Sequence, residues 1–335
     1  MERVQLNGAD IEYDVRGSGA PVVFIHGAIL SDGFVPVIEQ TGIAENFQIV
    51  HYRRRGYARS SRAVAGMTMQ GWAGDCIALL NHLGIASAHV AGHSFGAGIA
   101  LQMAIDAPGR VRKLALLEPP LGSLVPSGEQ FTEWVASVRE IYDSGDKTAA
   151  TDIILAGAYG QEYRRFTDGA LPAGAFDRAV SDIDTFFQVE LGAMQRWNIT
   201  TEGLKDIRHP VLSMRGSDTL PVFFEGADLL QQLYPAPETL GFVPMLGTPT
   251  ETRICSPTWL CGGWMKPSTG GTAEQWWCAS AWIATGSPGA RTARWSCRRP
   301  GRGAEFPGCC RSSAPLSRSA SAPSPRTSTN RPLPR

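Results

Sequence analysis

Short apolar runs recur through the first 246 residues, each bounded by glycine or polar residues and separated by segments with helical spacing. Val22 to Ile25 in "APVVFIHGA" is one run; "FQIVHYRRRG", "SAHVAGH", Leu114 to Leu117 in "VRKLALLEPP", "HPVLSMRGSD" and "ETLGFVP" hold the others. Runs with no polar alternation suit strands buried on both faces, which a parallel sheet sandwiched between helices provides. The intervening text agrees. "MQGWAGDCIALLNHLG" places Trp72, Ile77, Leu80 and Leu83 on one helical stripe and stops at Gly84, and "GADLLQQLYP" reads as a later helix. "RVQLNGADIEYDVRG" reads as two short strands around an Asn7-Gly8 turn. The expected fold class is therefore α/β, with a mostly parallel central sheet flanked by helices.

The alternation stops between Pro119 and Arg208. "EQFTEWVASVREIY", "KTAATDIILAGAY" and "AFDRAVSDIDTFFQVELGAMQRW" are helical patterns with no strand between them. They are expected to form a helical lid over residues 121–208, inserted into a core made of residues 1–120 and 209–246. Phe131, Trp134, Phe186, Phe187, Met194 and Trp197 could face a pocket or pack the lid's own interior.

The text changes character after residue 246. Residues 247–335 contain twelve Lys or Arg against Glu251, Glu274 and Glu305, and six of the seven Cys and six of the nine Trp. No apolar periodicity survives there, so the tail is expected to be irregular or disordered. A zinc site is disfavoured by the irregular Cys spacing and the lack of any histidine in the tail. A nucleic-acid arm around Arg298, Arg299 and Arg302 has no counterpart in the earlier residues, so no nucleic-acid partner is expected. The start, "MERVQLNGADIEYD", lacks the apolar segment of a secretory leader, and no run is long enough to span a bilayer. With Cys76 alone before residue 247, a cytoplasmic location and no membrane association are the expectations.

Gly92-His93-Ser94-Phe95-Gly96 sits between a strand and a helix. A serine hydroxyl is a weak nucleophile and must project from a tight turn toward a base. Flanking glycines allow that turn, and the Phe95 N–H that follows can help to bind an oxyanion at the helix start. His26-Gly27-Ala28, closing an earlier strand, can supply a second donor, with Ala28 N–H the candidate and His26 shaping the loop. His93 is expected to point away from the serine.

"VRGSGAPVVFIHGA", "YRRRGYARSS", "VAGHSFGAGIALQMAIDAPGRVRKLALLEPP" and "PVLSMRGSD" follow one another in an order and spacing that resemble the α/β-hydrolase superfamily over Met1 to about Pro244. Arg53 departs from the resemblance, since many members carry an acid there. The resemblance implies a Ser–acid–His triad in that chain order. It also implies hydrolysis of a small ester-like, amide-like or C–C substrate through an acyl-enzyme, with no cofactor and no metal. Ser94 would be the nucleophile. Asp218, after the strand "VLSM", is the first candidate for the acid and Glu118, in "LLEPP", the second. A small-molecule binding protein without catalysis is the alternative reading.

The resemblance also implies a histidine after the last strand, and none follows His209. His26, His51, His82, His89, His93 and His209 all precede Asp218, with His82 and His89 read as surface residues. The genetic code offers an explanation. Regroup the codons one nucleotide early, so that each new codon takes the last base of one old codon and the first two of the next. With a CTN codon for Leu246, Met245/Leu246 then reads alanine, and Gly247/Thr248 permits histidine. The run from Pro244 permits P-N-A-G-H, which the resemblance identifies with the histidine loop. Trp264/Met265 must read Asp and Met265/Lys266 must read Glu, inside a stretch that regains amphipathic helical spacing. The tail is therefore expected to be a frameshifted translation, its histidine hidden across the Gly247/Thr248 boundary.

Overall fold

The computed structural model describes residues 1–39, 41–216 and 219–234. The expected last strand "ETLGFVP", the candidate acid Asp218 and the whole tail lie outside the described residues.

Seven strands form one sheet in the order β1-β2-β4-β3-β5-β6-β7. β1 (Glu2–Leu6) and β2 (Ala9–Arg16) make the expected hairpin, turned by Asn7 at φ 49° and Gly8 at φ 75°. Two consecutive positive-φ residues match the right-handed twist of paired strands, and Asn-Gly adopts them at low cost. β2 joins β4 (Phe47–Arg53) antiparallel. β4, β3 (Ala20–Ile25), β5 (Ala88–His93), β6 (Val111–Leu117) and β7 (Val211–Met214) are mutually parallel. The outer pair is thus antiparallel and the interior parallel, as the apolar runs require.

Period-two packing explains why those runs carry no polar alternation. Val23, Ile25, Val50, Val90, Leu114 and Leu116 join one core. Their chain neighbours Val22, Phe24, Ile49, Ala91, Ala115 and Leu117 join another. The first core is closed by α3 (Met69–His82) and α4 (Phe95–Asp106) through Trp72, Leu79, Leu101 and Met103. Helix α3 begins at Thr68, whose side chain accepts the Gly71 N–H. Two four-residue helices between β3 and β4 serve the second core: Val37 and Ile38 of α1 (Val35–Ile38) and Ile43 of α2 (Thr41–Ala44).

Between β6 and β7 come α5 (Gly128–Asp143), α6 (Lys147–Tyr159), α7 (Tyr163–Ala170), α8 (Ala175–Asp184), a π-helical turn at Thr185–Glu190, α9 (Leu191–Gln195) and α10 (Thr201–Lys205). They have an apolar cluster of their own, in which Val135, Tyr142, Leu155, Phe186 and Phe187 meet Ile29 and Leu30 of the loop after β3. Helix α11 (Pro221–Leu233) follows β7 and adds Leu230 to the first core. The sequence reading anticipated α5, α6 and the long run through Trp197. It did not anticipate α7, α10 or the π turn. Among the described residues, no helix is long and apolar enough to cross a membrane.

Candidate active site

Ser94 caps α4 with φ 48° and ψ −120°, a left-handed conformation reserved in most loops for glycine. Two close approaches hold it there. A Cβ at Gly92 would strike the Gly96 carbonyl, and a Cβ at Gly96 would strike the carbonyls of Ile25 and His26. Only glycine fits at either place, so the glycines of the motif are steric necessities. The turn is secured from the side as well, because Ser94 N–H donates to the Leu117 carbonyl at 2.7 Å. The glycine at position 27 has its open side against the His93 ring and Ser94 Cβ, which brings the loop after β3 directly against the serine.

Ile29 has φ 67° and Glu118 φ 50°, and both line the same cavity as Ser94. Among the described residues, five non-glycine positions have positive φ, and three of them meet at this one cavity. Strain of this kind costs on the order of 1–3 kcal/mol per residue and persists where surrounding structure enforces it. For a β-branched isoleucine the conformation is especially unfavourable. Its N–H is held at 3.1 Å by the Tyr57 hydroxyl.

The cavity has a volume of about 70 Å³, with Phe131, Trp134, Leu155 and Tyr159 among its apolar walls. A larger space of about 510 Å³ adjoins Ser94 on the Phe95 side and is walled by Phe187, Leu191, Met194 and Val222. Phe131, Phe186 and Ala28 border both. Phe131, Trp134, Phe186, Phe187 and Met194 thus border these spaces and also pack in the segment's own apolar cluster, so the two sequence readings hold together. Trp197 instead joins the main core, its indole N–H donating to Gln102 Oε1 at 2.6 Å.

Glu118 is buried, and burial raises its carboxyl above the ordinary glutamate value, although the Gly216 N–H donates to Oε1 at 2.8 Å. Gly216 belongs to the loop that leads to Asp218. Asp218 lies outside the described residues, so the two candidate acids stand on unequal footing.

All six histidines are described, and only His93 lines the cavity beside Ser94. This corrects the expectation that it points away: the left-handed turn at Ser94 breaks the side-to-side alternation of β5, and both side chains reach one wall. Burial lowers its imidazole to about 4, so it is neutral near pH 7. His89 was also expected at the surface, yet it is buried edge-on to Phe47, with its imidazole lowered to about 4 by burial. His51 is buried in β4 and lowered to about 3 by burial and the nearby Arg53. His82 is exposed as expected, its ring edge-on to Tyr13, and His209 contacts the Pro108 carbonyl.

His26 opens the loop after β3 and hydrogen-bonds through both ring nitrogens. Its Nε2 accepts the Arg54 N–H at 3.0 Å, so Nδ1 carries the proton and donates to the Gly27 carbonyl at 2.8 Å. Sequence reading missed the charged scaffold around this loop. Arg54 and Glu190 are fully buried and paired at 2.7 Å, and the Tyr57 hydroxyl donates to the other Glu190 oxygen at 2.9 Å. Arg53, at the position where an acid was expected, is itself paired with Asp32 from the loop after β3, and Asp32 also holds Arg178 of α8 at 2.6 Å. The available signal was the Arg-Arg-Arg run at 53–55 ending a buried strand, since buried guanidinium groups require carboxylate partners.

Residues 20–148 match the family described as the alpha/beta hydrolase fold. The chain is 36% identical over 136 residues to a dihydrolipoyllysine-residue acetyltransferase component of an acetoin cleaving system from Cupriavidus necator, covering 40% of this chain and 36% of that one. It is 35% identical over 122 residues to a non-heme haloperoxidase from Rhodococcus erythropolis, covering 34% of this chain and 43% of that one. The chain therefore spans well under half the length of these two relatives. The enol-lactonase of Burkholderia xenovorans LB400 superposes with a TM-score of 0.58 at 20% identity, over 73% of this chain and 91% of that one. Residues 20–148 thus match this family by sequence, and the sheet has the α/β-hydrolase fold.

Proposed function

We propose that this chain is a serine hydrolase framework for small ester-like, amide-like or C–C substrates whose general base is missing from the sequence as written. Ser94 is the nucleophile, the N–H groups of Phe95 and Ala28 receive the oxyanion, and residues 121–208 form the lid. The observation that carries this reading is the meeting of three strained residues, Ile29, Ser94 and Glu118, in one apolar cavity. Glu118 is our choice for the acid, supported by its strained backbone and its place in the Ser94 cavity wall, with Asp218 second. A buried carboxylate there would orient an imidazole and stabilise its charged form. No histidine of this chain serves as that imidazole in our proposal, and regrouping the codons after Val243 permits one. The tail is, in this proposal, the right nucleotides in the wrong phase.

The test is a panel of p-nitrophenyl esters run on the chain and on a version with the frame restored after Val243, each beside its Ser94→Ala variant. Ser94-dependent turnover that rises sharply on restoration is expected. Equal activity in both would refute the missing-base reading, and resequencing the gene around Val243 tests the frame itself. The second reading, a small-molecule binding protein without catalysis, rests on the same absent histidine. It would be supported if Ser94 resists fluorophosphonate labelling even in the restored chain.

A further inference from the structure

Arg54 makes more contacts than a structural ion pair needs. Its Nε donates to the His26 carbonyl at 3.0 Å, its Nη2 to the Gly27 carbonyl at 2.8 Å and its Nη1 to Glu190 at 2.7 Å. The guanidinium also stacks over the Tyr57 ring at 4.7 Å and the Phe95 ring at 4.8 Å. The two carbonyls it grips belong to successive peptides of the loop after β3, and the second of those peptides carries the Ala28 N–H. A trans peptide is planar, so its N–H points opposite to its C=O. Fixing the Gly27 carbonyl on Arg54, with His26 Nδ1 as its second donor, therefore fixes the direction of the Ala28 N–H. The same guanidinium lies against the ring of Phe95, whose backbone would supply the other donor.

Resting on the serine-hydrolase reading above, we propose that Arg54, held by Glu190, is a positioning residue that sets the aim of both oxyanion donors. Its planar fork allows this, because one side chain reaches two carbonyls and a carboxylate in fixed directions, which a lysine ammonium does not. Glu190 ends the π turn of the inserted segment, and that turn is fastened to the loop after β4 at two further points. Thr185 Oγ1 donates to the Gly56 carbonyl at 2.6 Å, and Asp182, just before the turn, accepts the Ala58 N–H at 2.8 Å. The inserted helices thus complete the oxyanion site as well as walling the cavity.

Two full-length variants test this. Arg54→Lys keeps a charge opposite Glu190 but loses the fork. Arg54→Met combined with Glu190→Gln removes both buried charges while leaving an acceptor for Tyr57, which keeps the test valid if the first variant does not fold. Crystal structures of the variants are expected to show the Gly27 carbonyl turned from its present direction, and an unmoved 27–28 peptide in both would overturn the proposal. In kinetics with added imidazole, a p-nitrophenyl ester is compared with its thionoester, whose sulfur is the weaker hydrogen-bond acceptor. The ester rate is expected to fall about 10- to 100-fold, below the loss on removing a whole oxyanion donor, with the thionoester rate within about threefold. Equal losses on both substrates would assign Arg54 a structural role only and overturn the proposal. If the unmodified chain shows no Ser94-dependent turnover even with imidazole, the kinetic comparison moves to the chain with its frame restored, and absence of turnover there as well sinks the hydrolase reading. The carbonyl direction then decides the proposal alone.

Discussion

The two sides of Ser94 are built in opposite ways. On the side where we propose the oxyanion site, Gly27, Ala28, Arg54, Tyr57 and Phe95 follow neighbouring parallel strands, and buried hydrogen bonds hold Gly27, Arg54 and Tyr57. On the side where we propose the acid and base, Glu118 follows the end of β6 and takes one N–H from the loop after β7, and in that proposal the base is missing from the sequence as written. A site whose parts leave adjacent strand ends is assembled by the sheet itself. In our proposal the site draws its last part from the far end of the chain, so a shifted frame there would remove that part and spare the strands around Ser94. The proposal thus separates the framework from the completeness of its chemistry.

The largest test of the contrast restores the reading frame after Val243. Turnover of p-nitrophenyl acetate by the restored chain is expected to exceed that of the present chain by about 10³-fold or more, within the range set by removing triad members. Next, Glu118→Gln in the restored chain is expected to lower kcat by about 10³- to 10⁴-fold, as loss of the orienting carboxylate does. The same substitution in the present chain should change turnover less than about threefold, because in our proposal His93, which lines this cavity, is not the base that Glu118 would orient. If Asp218→Asn gives the large loss instead, the acid role moves to Asp218. Third, imidazole added to the present chain is expected to raise Ser94-dependent turnover by about tenfold or more, a part of what a positioned base supplies. No increase, or an equal increase with Ser94→Ala, would show that the acid–base side lacks more than an imidazole.

The smallest effect is on stability. His93 is held neutral at about 4, below the ordinary histidine value of 6.5, so the unfolded chain binds its proton first as pH falls. Its contribution is complete above pH 6.5 and is lost as pH falls to about 4, a change on the order of 2 kcal/mol. His89 and His51 act with the same sign. Glu118, whose carboxyl is raised, acts oppositely and contributes less as pH rises. Urea midpoints measured from pH 7.5 to 4.5 should therefore decline, and His93→Gln should flatten the decline.

How far the sequence could be read follows the same division. The parallel strands were legible because both faces of the sheet are apolar, so Val22 to Ile25 and Leu114 to Leu117 allow few other readings. The tight turn at Ser94 was legible because Gly92 and Gly96 admit no side chain. The Arg54–Glu190 pair was not, since 136 residues separate its partners and nothing local marks a carboxylate as the mate of a given guanidinium. His93 was misplaced because alternation along a strand fails where the backbone enters a left-handed turn.

The glycines flanking the serine carry one more consequence. Each faces a main-chain carbonyl, and main chain cannot be trimmed by a compensating substitution. A mutational library aimed at new substrates would find no accepted replacements at positions 92 and 96. Phe131, Trp134, Leu155 and Met194 line the cavities without such a main-chain constraint at their own positions, and variation is best spent there.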